Sequence, residues 1–297
     1  MAARYHLVGI LVAVCGWLTL LLAGNALAPA PARQPAPLYL ALGDSLAAGM
    51  QPDRQGNDHP TARGYVDVVR RSLARSHAGL RSRTLSCGGA TSVTLLHGGE
   101  SCRPDGEPGQ LERAEDILAT HRNTVLVTVN IGDNDIEACV NRDTGSAGAA
   151  CIRRGEATVR RNLPEIARRL RAAAPPATPV IGLVDYDQFL SLWLQGSRGR
   201  AAARRSLPII RRLNQLATSI YRDAGIKVAD ASARFATEDL THRRTLAGHG
   251  SVPLAVYDIC TLTWACSPAP IGHDDHARPA GYYQLGQAIL DVLRAPF

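Results

Sequence analysis

The chain is poor in lysine and in aromatic residues, and it lacks the spacings that mark common metal sites. Lys227 is its one lysine, and aromatic residues make up 5% of the sequence. Its arginines occur as scattered pairs without interleaved aromatic residues or a nucleic-acid-binding motif, so the formal charge of +7 does not predict a nucleic-acid partner. Neither Cys-x-x-Cys nor His-x-x-x-His occurs, which argues against a zinc site.

The rest of the composition is that of a globular protein. Hydrophobic residues make up 45% and charged residues 20% of the 297 residues, which is enough for a packed core. There is no internal repeat and no second linker beyond the first 37 residues. We therefore expect residues 38–297 to form one domain.

The amino terminus has the features of an export signal. Arg4 precedes an apolar run over residues 7–22, and residues 26–28, Ala-Leu-Ala, give the small-x-small pattern of a cleavage site. The run is shorter than the ~20 residues of a typical membrane span. We predict that residues 1–28 are a signal peptide, with an uncleaved anchor as the alternative, and that residues 29–37 are a Pro/Ala-rich linker. The protein is then secreted, or anchored at the cell envelope if the segment is retained.

Six cysteines follow this segment, and an even number in an oxidising compartment favours three disulfides. Six cysteines can pair in many ways. These six fall into three local pairs, so sequential pairing, with each bridge closing one loop, is the simplest scheme. The expected pairs are Cys87–Cys102, Cys139–Cys151 and Cys260–Cys266.

Short apolar runs alternate with longer amphipathic segments, which predicts an α/β fold with a parallel sheet covered by helices on both faces. The expected architecture is a three-layer, flavodoxin-like α/β/α domain. The predicted strands are 38–42, 84–86, 124–131, 179–184 and 227–229. The predicted helices are 64–76, 110–120, 155–173, 201–223 (kinked or restarted at Pro208) and 279–293.

Four polar or glycine-rich sequences lie where such a sheet holds its functional residues, beyond the carboxyl ends of the strands. Three follow predicted strands: Gly-Asp-Ser-Leu at 43–46, Gly-Gly at 88–89 and Gly-Asp-Asn-Asp at 132–135. The fourth, His-Asp-Asp-His at 273–276, precedes the last predicted helix. Each alone is typical of a turn. Together they predict a site that contains a serine, backbone N–H donors, an amide and a histidine.

These four blocks, in this order, resemble the SGNH hydrolases, a family also called GDSL esterases/lipases. The resemblance covers residues 38–294, nearly all of the chain that follows the linker. The matching residues are Ser45 in the nucleophile block, Gly89 in the second, Asn134 in the Gly-x-Asn-Asp block and His276 in the last.

Two further features are similar to one branch of that family. They are Pro-Gly-Gln-Leu at residues 108–111 and the layout of the six cysteines. Both resemble the secreted, three-disulfide actinobacterial branch.

The resemblance implies a carboxylic ester hydrolase that forms an acyl-enzyme and needs neither a metal nor an organic cofactor. Ser45 would attack the ester, and His276 would accept its proton and pass it to the leaving alcohol. The Ser45 N–H, the Gly89 N–H and the Asn134 side chain would form the oxyanion hole. The implied substrate is a small-molecule, lipid or carbohydrate ester, with association with a membrane surface left open and a monomer expected.

The acid that orients His276 is marked less clearly. The family commonly has Asp three residues before the histidine, and this chain has His273 there. We assign Asp274, because a loop can absorb a shift of one residue. Asp275 and a backbone carbonyl are the alternatives.

Two other functions stay open at this point. An acyltransferase would use the same serine and histidine but deliver the acyl group to a sugar or lipid hydroxyl. A non-catalytic surface or binding protein would keep the fold alone, although all four blocks carry residues that are competent for catalysis.

Overall fold

Nine strands occur in the part of the chain that the computed structural model describes, residues 35–99, 106–140 and 148–295. Residues 1–34, which include the predicted signal peptide or anchor, lie outside these ranges. The strands are β1 Leu38–Gly43, β2 Met50–Pro52, β3 Asp58–Pro60, β4 Arg81–Thr84, β5 Thr124–Asn130, β6 Val180–Val184, β7 Lys227–Asp230, β8 Arg243–Leu246 and β9 Gly250–Pro253.

Five of these strands form the central parallel sheet, in the order β4-β1-β5-β6-β7. Successive side chains of β1 enter two different cores: Leu40 and Leu42 lie on one side of the sheet, and Tyr39 and Ala41 on the other. All six residues of β1 and all five of β6 are buried, as expected for strands that are covered on both faces. The remaining four strands form two antiparallel hairpins, β2-β3 and β8-β9.

Helices cover both faces of the sheet and contribute to separate cores. They are α1 Ser45–Ala48, α2 Tyr65–Leu73, α3 Ser92–His97, α4 Gln110–Thr120, α5 Asn134–Glu137, α6 Ala149–Ala173, α7 Gly196–Asp223, α8 Ala231–Arg234, α9 Leu254–Leu262 and α10 Pro279–Arg294, together with the 3₁₀ helix Gln188–Leu194. Helices α3, α4, α6 and α7 pack on one face, and α2, α9 and α10 on the other. In the described residues, no helix has both the length and the apolar character needed to cross a membrane.

The predicted α/β/α architecture is confirmed, with differences at the ends of elements. The strand predicted at 84–86 is β4, which ends at Thr84, although the N–H groups of Leu85 and Cys87 still donate to the carbonyls of Ala41 and Gly43 in β1 (2.8 and 3.2 Å). Helices α6 and α7 begin earlier than predicted, and Pro208 lies inside a continuous α7. The hairpins and the short helices were not predicted, because segments of three to seven residues are too short to show a clear periodicity.

A buried carboxyl group fixes the segment that follows β6. Asp187 is fully buried; it accepts hydrogen bonds from the N–H of Phe189 (3.0 Å) and from the hydroxyl of Ser206 in α7 (2.7 Å). Burial raises the pKa of Asp187 to about 7, although both hydrogen bonds act in the opposite direction. The carboxyl therefore joins the 3₁₀ helix to α7 but is costly to ionise.

A prediction about stability follows from Asp187. The folded protein holds this proton to a higher pH than the unfolded chain does, so the carboxyl lowers the free energy of unfolding as pH rises from about 4 to 7. We expect Asp187→Asn to be more stable than wild type at pH 8, by on the order of 2 kcal/mol, and similar to it at pH 4. Urea denaturation at both pH values measures this.

The matched control is Asp223→Asn, which makes the same change at an exposed position near the end of α7. It should leave the pH dependence of unfolding unchanged. A loss of stability in Asp187→Asn that is equal at both pH values would show that the hydrogen bonds, and not ionisation, dominate.

Candidate active site

Ser45 begins α1, two residues after the end of β1. Gly43 has a φ of +141°, and a Cβ atom there would lie 2.2 Å from the carbonyl oxygen of Asn130, its register partner in β5. A side chain at residue 43 would therefore force the two strands apart. Asp44 is buried and caps α1, where its Oδ1 accepts the N–H of Leu46 at 3.0 Å.

Gln110 braces the strand end that precedes the serine. Its Oε1 accepts the Gly43 N–H and its Nε2 donates to the Gly43 carbonyl, both at 2.9 Å. Gln110 is fully buried at the first position of α4, so both backbone groups of Gly43 are paired away from water. The role of the Pro-Gly-Gln-Leu sequence is therefore visible: it holds the end of β1.

The glycine pair after β4 borders the same site. Gly89 has a φ of +72°, and a Cβ built there meets no other atom within 4 Å, so this backbone faces open space. Asn134 begins α5, and its Nδ2 donates to the carbonyl of Ala90 at 3.0 Å. Asp135 accepts two hydrogen bonds from Ser92, from its N–H at 2.8 Å and its hydroxyl at 2.7 Å. These contacts fix the loops after β4 and β5 to each other.

The histidine lies in a loop that is held at both ends. The N–H of Trp264 donates to the carbonyl of His276 (3.0 Å), and the N–H of Arg278 donates to the carbonyl of Leu262 (2.7 Å). The Arg278 guanidinium lies 4.1 Å from the centre of the Trp264 ring. Tyr186, which stacks on Phe235, donates its hydroxyl to the carbonyl of Asp275 at 2.7 Å. His276 is therefore fixed against both the preceding segment and the end of β6.

Ser45, Gly89, Asn134 and His276 line one cleft of about 450 Å³. The structure thus brings together the four residues that the sequence blocks singled out. Asp274 does not line this cleft but contacts His276 from behind. The other lining residues are Met50, Asp58, Gly88, Glu137 and Asp275.

Two carboxylates approach Nδ1 of His276. Asp274 Oδ1 lies 3.0 Å away and Asp58 Oδ1 lies 3.3 Å away. Neither contact has hydrogen-bond geometry, so Nδ1 is a buried atom without a hydrogen-bond partner. Burial lowers the pKa of His276, but the carboxylates of Asp274 and Asp58, followed by Asp275, outweigh it and raise this pKa to about 10.

Sequence reasoning did not find Asp58. It lies on the β2-β3 hairpin, in a segment rich in Asp, Asn and Gly that is typical of a turn. No signal in the sequence connects that segment with the loop of His276, which lies more than two hundred residues further along the chain.

A smaller space behind Ser45 is lined by the carboxyl groups of Asp44, Asp133 and Asp185, of which Asp44 and Asp185 are buried and Asp133 is half-buried. Burial and mutual repulsion raise the pKa of Asp44 and Asp133, and burial raises the pKa of Asp185 to about 6. Asn130 Nδ2 donates to Asp185 at 2.8 Å, and Gln188 Nε2 donates to Asp133 at 2.7 Å. These amides partly compensate for burying the carboxyl groups.

Disulfides join Cys139 to Cys151 and Cys260 to Cys266, which are two of the three expected sequential pairs. The expected Cys87–Cys102 pair includes Cys102, which lies outside the described residues. The first bridge joins the segment after α5 to α6. The second closes the turn that follows α9, and this turn pairs with the loop of His276 through Thr263 and Ala277. Both described bridges therefore support loops of the site.

Asp58, Asp274 and His276 could together hold a cation, because one ligand atom from each lies within 4.8 Å of the others. A carboxylate beside Nδ1 is also the usual means of orienting a catalytic histidine. We interpret the group in this second way, because His276 lines the same cleft as Ser45.

The brace on Gly43 gives a second prediction. Gln110→Leu leaves the Gly43 N–H buried without a partner and removes one of the two hydrogen bonds to the Gly43 carbonyl, so we expect the free energy of unfolding to fall by about 1–3 kcal/mol. Urea denaturation measures this. The control is Gln215→Leu, the same change at an exposed position of α7. Equal stability of the two variants would contradict the role of Gln110.

A model of the GDSL-like Lipase/Acylhydrolase family matches residues 41–282. The fold is similar to that of an extracellular lipase from Streptomyces rimosus, at 21% identity over 86% of this chain and 100% of that one, with a TM-score of 0.52. It is also similar to phospholipase A1 from Streptomyces albidoflavus NA297, at 23% identity over 87% and 98% of the two chains, with a TM-score of 0.52. No curated protein matches the sequence significantly.

The family match spans all four sequence blocks, from the strand before Ser45 to the helix after His276. It confirms the expected enzyme class, a carboxylic ester hydrolase. The solved structures share the fold of this chain, which agrees with the parallel sheet described above. The protein therefore belongs to the GDSL-like lipase/acylhydrolase family.

Proposed function

We propose that the protein is a secreted ester hydrolase that acts through an acyl-enzyme on Ser45 and prefers short acyl groups. One observation carries this proposal: the serine, the imidazole, the Gly89 backbone and the Asn134 amide line a single cleft although they come from four distant loops. That set contains a nucleophile, a base and oxyanion donors, which are the groups that acyl transfer to water requires.

The first half of the reaction forms the acyl-enzyme. His276 Nε2 accepts the hydroxyl proton of Ser45 as Oγ attacks the ester carbonyl carbon. The carbonyl oxygen becomes an oxyanion, which accepts hydrogen bonds from the N–H groups of Ser45 and Gly89 and from Nδ2 of Asn134. Collapse of this intermediate breaks the ester bond, and His276 passes its proton to the leaving alcohol.

Water completes the cycle. His276 takes a proton from water, the hydroxide attacks the acyl carbon, and the released Ser45 recovers its proton while the carboxylic acid leaves. Asp274 orients the imidazole throughout, and its Oδ1 also accepts the backbone N–H of His276 at 2.8 Å. The second N–H of the Asn134 amide is free to serve the oxyanion, because Nδ2 donates only one of its two protons to Ala90.

The lining of the cleft supports a short acyl group on a polar alcohol. Among its described lining residues, Met50 is the one large apolar side chain, and Asp58, Glu137 and Asp275 are acidic. A long fatty acyl chain needs an apolar pocket to leave water favourably. The large aromatic side chains of Phe189 and Trp193 are buried in the cores beside the sheet and do not line the cleft.

Export is part of the proposal. The signal-like amino terminus and the six following cysteines favour an oxidising compartment, and the two described disulfides are compatible with it. We place the chain in the secreted, three-disulfide branch of the family on these grounds.

The third prediction tests the nucleophile. We expect Ser45→Ala to lower the rate of p-nitrophenyl acetate hydrolysis by on the order of 10³ or more, with the fold retained, because the variant has no oxygen to acylate. Ser232→Ala, at the start of the distant helix α8, is the control. Circular dichroism checks the fold, and wild-type activity in Ser45→Ala would remove the central claim.

The fourth prediction concerns the acyl group. Across p-nitrophenyl esters from acetate to laurate, kcat/KM should be highest for two to four carbons, because the cleft offers little apolar surface to a longer chain. A maximum at eight carbons or more would contradict the short-chain assignment. Adding an alcohol acceptor to the same assay distinguishes hydrolysis from acyl transfer, since transfer would yield a new ester in place of the free acid.

A further inference from the structure

The β2-β3 hairpin brings a second carboxylate to the proposed base. Asp58 Oδ1 lies 3.3 Å from Nδ1 of His276, on the nitrogen that Asp274 also approaches. We propose that Asp58 is a second positioning residue, whose carboxylate carries the negative charge that faces the imidazolium, while Asp274 orients the ring through the backbone of its own loop. This inference rests on the proposed role of His276 as base.

The contacts of Asp274 leave room for a second partner. Its Oδ1, which lies 3.0 Å from Nδ1, already accepts the backbone N–H of His276 at 2.8 Å. That bond fixes the oxygen beside the ring, but neither carboxylate reaches Nδ1 with complete hydrogen-bond geometry. A buried N–H between two such acceptors is stabilised by both.

The two carboxyl groups lie close to each other and to the same imidazole. Their nearest oxygen atoms are within 4.8 Å of one another, so two negative charges there would repel. The contact with His276 is the largest cause that lowers the pKa of Asp58, and burial raises the pKa of Asp274. The Asp58 side chain is 38% exposed and that of Asp274 is 9% exposed, so water also favours the charge on Asp58. Contact with His276 and exposure to water therefore both make Asp58 the easier of the two carboxyl groups to ionise.

The fold, and not a flexible side chain alone, places Asp58. The carbonyl of Met50 in β2 accepts the hydroxyl of Tyr282 in α10, the helix that follows His276, at 2.7 Å. At the turn of the hairpin, a Cβ on Gly56 would lie 2.5 Å from the carbonyl oxygen of Pro270, in the loop that precedes His276. The hairpin thus packs against the chain on both sides of the histidine, which fixes the distance from Asp58 to the ring.

Other acidic groups also face His276. They are Asp44 after β1, Glu137 of α5, which lines the cleft, and Asp274 and Asp275 of its own loop; His59 lies beside Asp58 on the hairpin. All of them remain in Asp58→Asn. A change in the titration of His276 between wild type and that variant therefore reports on Asp58.

The decisive experiment titrates His276 by NMR in the Ser45→Ala background, with EDTA present. We expect Asp58→Asn to lower the pKa of His276 by about 1 or more, because an opposite charge near the ring is lost. Asp58→Glu should restore most of it. Asp53→Asn, which removes a carboxylate from the turn of the same hairpin, is the control and should leave this pKa unchanged.

Kinetics on the protein with Ser45 intact complete the test. In Asp58→Asn, the rise of kcat/KM with pH should begin at lower pH, because His276 becomes neutral sooner. Its plateau should fall about 10-fold or more, because the imidazolium that forms in the transition state loses an opposite charge. A loss of structure alone would lower the plateau without moving the pH profile.

The two proposals fail in distinguishable ways. An unchanged pKa of His276 in Asp58→Asn overturns the role of Asp58, whatever the activity. A Ser45→Ala protein that still hydrolyses esters overturns the proposed function, while the NMR titration still reports whether Asp58 holds the charge beside His276.

Discussion

The site depends on the parallel pairing of β1 with β5. Gly43 is paired with Asn130, and the two strands end at the same level of the sheet. Ser45 and Asn134 therefore leave the sheet side by side, only two and four residues beyond that pair. The approach is so close that Gly43 cannot carry a side chain, and Gln110 satisfies the backbone groups that remain. The nucleophile is thus placed by main-chain geometry, which leaves it little freedom to move.

Carboxyl groups surround the only imidazole of the cleft formed by described residues. Such an arrangement is costly, since burial raises the pKa of Asp274, and burial together with repulsion raises the pKa of Asp44. A charged imidazolium offsets part of that cost, so the acids and the base stabilise each other in one protonation state. Ester hydrolysis by a serine nucleophile forms this imidazolium in each half of the catalytic cycle. The carboxyl groups around the ring stabilise its positive charge there.

The central parts of this structure could be predicted from the sequence because each has a strong local signal. The continuous β-branched run of β5 and the amphipathic pattern of α4 and α10 gave the right elements, and the four blocks gave the residues of the cleft. The β2-β3 hairpin gave no such signal, since its three-residue strands are too short for alternation and all of β3 is exposed. Asp58 was missed for that reason. The hydrogen-bond partners of Asp187 and Gln110 could not be predicted either, because a hydrogen bond between distant residues produces no periodic pattern in the sequence.

The contact between Tyr282 and Met50 joins residues 232 positions apart, and it connects the last helix to the hairpin beside the serine. The cleft is therefore incomplete until α10 has packed onto the sheet. A chain that emerges from a ribosome or a translocation pore amino terminus first would carry its serine without a base until synthesis or transport is nearly finished. Hydrolysis would begin only after the segment that carries His276 and α10 has emerged and folded, so the order of the elements in the chain delays the activity.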